Sequence, residues 1–167
     1  MTGIDSDYPS SWPAVVTTSS CPRLEGTYRN YGAATFAPRS ESQYLASRFG
    51  FTGLDVGERF LTVNLSLQDE NTLKITIARE HTLLKETTIS RLSGQWACNA
   101  GWMTFPAVEE SDADPLGGYV ANRSFAIGIA TDGSLIGQER SGGLGLAFWA
   151  VPVAGNQTFW FLWSKER

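Results

Sequence analysis

The chain has 167 residues, a formal net charge of −4, and 42% hydrophobic but only 18% charged residues. That length fits one domain and suffices for a hydrophobic core without a structural metal. The 13 basic residues are scattered singly, which argues against a phosphate-binding surface and hence against nucleic acid as a partner.

No run approaches the roughly 20 apolar residues of a membrane helix. Met1-Thr2-Gly3-Ile4-Asp5 has neither the basic start nor the apolar run of a signal peptide. Residues 1–20 read as an extended N-terminal tether, rich in Pro, Ser and Thr, with Tyr8 and Trp12 available to dock. Residues 21–167 read as a single β-barrel-like domain.

The first strand is expected over Leu24 to Tyr31. A short helix is expected at about 40–49, with Ser40 and Gln43 forming a capping box, an apolar stripe of Tyr44, Leu45 and Phe49, and Gly50 as its stop. In 60–67, Leu61, Val63, Leu65 and Leu67 alternate with polar residues. In 72–79, Leu73, Ile75 and Ile77 do the same, which predicts a hairpin with one dry face. A weaker strand spans Thr82 to Leu92, and a second hairpin turns at Asn99-Ala100. The acidic stretch 107–118 reads as a loop. Tyr119 to Thr131 reads as a long strand, followed by a tight turn at Asp132-Gly133. Further turns are expected at Ser141-Gly142-Gly143 and Gly155-Asn156-Gln157. The fold class is therefore all-β, an antiparallel up-and-down meander closing into a barrel or half-barrel.

The last strands depart from a simple wet-outside pattern. Phe159, Phe161 and Trp163 alternate with Trp160 and Leu162, and Leu146, Phe148, Trp149 and Val151 repeat this one strand earlier. A half-exposed strand is not apolar on both faces. Either the helix and the tether cover the outer wall, or a protein or lipid partner does.

Cys21 and Cys98 belong to no C-x-x-C pattern. Two readings compete: a disulfide closing a long loop, which implies an oxidising compartment, or two small buried thiols.

Two segments carry a resemblance. Tyr8-Pro9-Ser10-Ser11-Trp12-Pro13, followed by Cys21-Pro22-Arg23-Leu24-Glu25-Gly26-Thr27-Tyr28-Arg29-Asn30-Tyr31-Gly32, resembles the opening of a family of uncharacterised Gram-negative bacterial lipoproteins. The resemblance extends loosely over Asp132-Gly133-Ser134-Leu135 to Trp163. It implies export to the periplasmic face of the outer membrane and a lipid anchor on a cysteine upstream of residue 1. It implies no biochemical activity. Gly26-Thr27-Tyr28 is also similar to the Gly-x-Trp start of lipocalins, with Tyr in place of Trp, which implies a lipocalin-like barrel.

No catalytic, metal or cofactor motif stands out. His81, the one histidine, falls at a turn. The carboxylates Glu109, Glu110, Asp112 and Asp114 match no calcium-loop spacing. Ser141-Gly142-Gly143-Leu144-Gly145 precedes no helix and so is no phosphate loop. Asn64, Asn122 and Asn156 open glycosylation sequons, which a bacterial source would leave unused. Functional promise rests on aromatics: Trp96, Trp102, Phe105, Phe125, Phe148, Trp149, Phe159, Trp160, Phe161 and Trp163. They are core, or line a ligand cavity, or face a partner.

The expectation is a non-enzymatic cell-envelope lipoprotein domain, binding a small apolar ligand in an aromatic-lined barrel. The alternative is an interaction module docking another envelope protein through an exposed aromatic patch or a strand edge. An enzyme comes third, as a glycosidase using Glu139 or Glu25.

Overall fold

A computed structural model describes residues 7–35, 43–51, 60–147 and 150–166. In chain order the elements are β1 (Gly26–Arg29), β2 (Ala33–Ala34), α1 (Leu45–Arg48), β3 (Leu61–Leu67), β4 (Thr72–Arg79), β5 (Thr82–Ser90), β6 (Ala97–Asn99), β7 (Trp102–Thr104), β8 (Val108–Asp114), β9 (Gly117–Ile129), β10 (Leu135–Ala147) and β11 (Val151–Trp163). The chain is all-β with antiparallel pairing throughout these strands. They form a four-stranded sheet, β1-β3-β4-β5, and a seven-stranded sheet, β2-β11-β10-β9-β7-β6, in which β8 also pairs with β9.

Alternation does its expected work at β3 and β4. Leu61, Val63 and Leu65 of one strand and Leu73, Ile75 and Ile77 of the other are all buried. They pack with Met103 of β7, Ile127 of β9, Leu135 of β10 and Phe161 and Trp163 of β11 in one core. Burying that much apolar surface is the main favourable term in the fold.

The sheets meet at one corner. Beyond β11, Lys165 bridges Tyr28 of β1, the Arg29 N–H donates to Ser164 O (2.9 Å) and the Glu166 N–H donates to Thr27 O (2.8 Å). On the opposite side, β5 and β6 share no ladder among the described residues, so no closed barrel is formed there. Trp96 ties the two ends instead, its indole N–H donating to Ile89 O at 3.2 Å. The Cys21–Cys98 disulfide fastens the segment before β1 to β6, with Cα atoms 5.3 Å apart.

Four expectations differ from the structure. The helix is one turn, Leu45–Arg48; Ser40 lies outside the described residues. Gln43 makes no capping box, because it precedes the N-cap Tyr44; its carbonyl instead accepts from the Gly32 N–H (2.9 Å) and the Trp163 indole (2.8 Å). Buried Asn30 serves the first turn, its carbonyl accepting from Leu45 N–H and its side chain from Ala46 N–H. The strand expected over Leu24 to Tyr31 is shortened to β1, and a separate short strand, β2, follows beyond Gly32. A Cβ at Gly32 would lie 2.5 Å from the Trp163 ring, so only glycine fits beneath it.

The acidic stretch expected to be a loop is strand β8, paired with β9 from Val108↔Arg123 to Asp114↔Gly117. The turns expected at 141–143 and 155–157 lie inside β10 and β11, which pair without interruption from Leu135↔Trp163 to Ala147↔Val151. At Gly143 glycine answers crowding, since a Cβ would sit 2.9 Å from Val120 O, whereas a Cβ at Gly155 would meet no atom within 4 Å.

Candidate functional site

The aromatic set divides between the two faces of the seven-stranded sheet. On the inner face Phe161 and Trp163 stack, centroids 5.6 Å apart, and Phe125 meets Trp163 edge-on at 6.4 Å. Phe159 and Trp96 belong to the same core, and Phe105 stacks on Phe125 at 5.7 Å. Trp160 and Trp102 lie on the outer face, 6.2 Å apart. Phe148 and Trp149 lie outside the described residues.

A charged cluster is built into the inner face. The Arg48 guanidinium lies 4.6 Å from the Phe125 ring centroid and 4.4 Å from that of Phe161. It donates to the Glu139 carboxylate, which is only 3% exposed and also lies 3.3 Å from Arg123 Nε. Arg123 in turn binds Glu110 at 3.0 Å. Burial pushes the Arg48 guanidinium below its ordinary value, and Glu139 opposes that push. A carboxylate placed between two guanidiniums in this way has the geometry of a structural ion pair. Glu25, the other carboxylate considered for catalysis, is exposed ahead of β1. His81 is exposed in the β4–β5 turn. Among the described residues no group of three or more His, Cys, Asp or Glu side chains is placed to hold a metal.

The outer face has a covered half and a bare half. The tether covers the first. Val15 bridges Ala130, the Val16 N–H donates to Ile129 O (2.7 Å) and the Thr131 N–H to Ala14 O (2.8 Å). Tyr8 meets Trp160 edge-on at 4.9 Å and Trp12 at 6.1 Å, and its hydroxyl donates to Pro13 O. Burial, reinforced by Asp132, raises the Tyr8 hydroxyl above its ordinary value. Val15, Ala130, Ile136 and Trp160 thus form a second, smaller core outside the sheet.

The bare half is the distal end, where β8, the first part of β9, the last part of β10 and the first part of β11 run on together. There Leu144 is 71% exposed, Val120 47% and Leu146 42% on the outer face, while Val153, 50% exposed, lies on the opposite face beside Tyr119. Val120, Leu144 and Ala154 form one cross-strand row, and Leu146 and Pro152 lie in the next. With Tyr119 and β8 they line a broad concavity of about 750 Å³. The free edge of β8 presents exposed Glu109 and Asp112.

Sequence reasoning placed the functional promise in the aromatic residues and missed Val120 and Leu144 as a surface. The signal was present in the doubly apolar strands near Leu146. The tether answers it over Trp160 but does not reach the distal end. A separate groove of about 180 Å³, of mixed polar and aromatic lining, lies between the two halves, against Trp102 and Trp160. The chain matches no protein-family model, no curated protein and no solved structure.

Proposed function

We propose that this chain is a non-enzymatic, exported cell-envelope domain that docks another envelope protein through the distal end of its β8–β11 sheet. One observation carries the reading: Val120, Leu144 and Leu146 are exposed side by side on strands whose other half is covered on both faces. Contiguous apolar surface of this kind is kept where a partner covers it. Glu109 and Asp112 on the adjoining edge call for a partner whose apolar segment is flanked by basic residues. The same charges disfavour an anionic membrane surface and a β8-to-β8 pairing of two copies.

The disulfide supports an oxidising compartment. Together with the lipoprotein-like opening it supports a location on the periplasmic face of the outer membrane, through a lipid anchor upstream of residue 1. A lipocalin-like curl is supported by the corner at which residues 164–166 join β1 to the second sheet. The inner aromatics contact one another and the aliphatic core, which favours docking over an apolar ligand held between the sheets.

The test places a photoreactive residue at Leu144, Leu146 or, as control, Lys74 on the other sheet, in the intact chain in its native cells. The expected result is one shared cross-linked polypeptide from positions 144 and 146 and none from 74. Leu144→Asp should abolish that product without changing the melting temperature. Equal labelling from all three positions, or a product of twice the chain mass, overturns the reading.

A further inference from the structure

The groove beside Trp102 has a chemistry of its own. It sits where β9 passes from one partner to another: β8 pairs up to Arg123, and β7 takes over at Ala126. Between these points Ser124 faces outward beside Arg140 of β10, and neither β7 nor β8 pairs with it on its other side. Continuous register lays out the outer face in rows of Asn122–Gly142–Asn156, then Ser124–Arg140–Thr158, then Ala126–Gln138–Trp160. Successive rows are about 6.7 Å apart along the strands. Amides, hydroxyls and one guanidinium therefore fill the strip between the distal apolar rows and the two tryptophans.

The tryptophan wall is built, not incidental. The six-membered ring of Trp102 rests against Gly128, where a Cβ would come within 3.0 Å of it. Trp102 stays half-buried, while Trp160 behind it is fully buried. Among the described residues, Arg140 supplies the only Lys, Arg, Asp or Glu side chain lining the groove.

We infer that this groove is a saccharide subsite, taking one pyranose ring. The C–H face of a sugar packs on an indole ring, and its hydroxyls pair with planar donors and acceptors such as the Gln138 amide and the Arg140 guanidinium. A volume of about 180 Å³ is too small for an acyl chain or a helix, and the lining sets the apolar Trp102, Phe105 and Phe125 against the polar Ser124, Gln138 and Arg140, the mixture a sugar ring needs. A single arginine is a weak basis for a phosphate site, which draws on several converging donors. The site is distinct from the distal docking end, and its failure would leave that reading standing.

Saturation-transfer NMR on the intact, disulfide-bonded chain tests the inference, with glucose, galactose, N-acetylglucosamine and their β-1,4-linked trimers as probes. At least one sugar should receive saturation at its ring C–H protons. Trp102→Ala should abolish the transfer, and Gln138→Ala or Arg140→Ala should each weaken binding about three- to tenfold, the scale of one lost hydrogen bond. Both latter positions are partly or fully exposed, so those variants should fold even if Trp102→Ala does not. Leu144→Asp should leave sugar binding unchanged. No transfer to any probe, transfer indifferent to Gln138→Ala and Arg140→Ala, or tighter binding of benzoate through Arg140 overturns the inference.

Discussion

The covered and bare halves of β9, β10 and β11 share one unbroken register, yet they live in different environments. In the covered half, Trp163 lies against the inner core and Trp160 lies under the tether. In the bare half, Leu144 and Val120 meet solvent from the same strands. Strand formation therefore does not require burial on both faces; ladder pairing and cross-strand contacts carry it past the edge of the core. What burial adds is stability, and the two halves should respond very differently to mutation.

The largest contrast is expected at Trp163. Trp163→Ala should lower unfolding free energy by about 4 kcal/mol through a cavity in the core and a lost indole hydrogen bond. Glu139→Gln should cost about 3 kcal/mol, because the Arg48 guanidinium is left buried without its counter-charge. Both are read by denaturant unfolding of the oxidised protein.

A pH titration probes the covered region alone. Burial, then the nearby Glu25 charge, pushes the Tyr28 hydroxyl up to about 12. Between the unfolded value near 10 and about 12 the unfolded chain has lost a proton that the folded chain keeps. Tyr28 thus stabilises fully below pH 10 and loses that contribution as the pH rises toward 12. Tyr28→Phe should flatten this alkaline limb, and an unchanged slope would remove Tyr28 as its source.

A smaller effect, in the opposite direction, is expected in the β6–β7 turn. Ala100 adopts φ +48°, a left-handed conformation that costs a side chain energy. Ala100→Gly should raise stability by about 0.5 kcal/mol, the strain relieved being partly offset by glycine's entropy in the unfolded chain. The smallest change belongs to the bare half. Leu144→Ala should move unfolding free energy by less than about 0.5 kcal/mol. A loss of 2 kcal/mol or more there would mean that Leu144 is not the free surface residue the comparison makes it.

Legibility in the sequence follows the same division. The β3–β4 hairpin was readable because one face of each strand is buried and the other wet, so Leu61, Val63 and Leu65 alternate with Thr62, Asn64 and Ser66. Strand β8 was not, because Glu109, Glu110 and Asp112 have low strand propensity and are held by pairing with β9 rather than by their own preference. Gly142, Gly143 and Gly155 carry a turn signal that long-range pairing overrides. The candidate docking end could be suspected from the apolar residues around Leu146. Which part of that wall the tether covers depends on where residues 8–16 cross the sheet, and no local pattern encodes that.

The corner at residues 164–166 also has a consequence for biogenesis. β1 lies near the start of the chain, flanked by β3 on one side and by Ser164 to Glu166 on the other. A nascent chain leaving the ribosome carries β1 with one edge unsatisfied until residues 164–166 are made. Contacts of such sequence separation form slowly. Completion of the first sheet thereby waits for residues 164–166. It also makes a disruption of residues 164–166 a defect felt at the first strand.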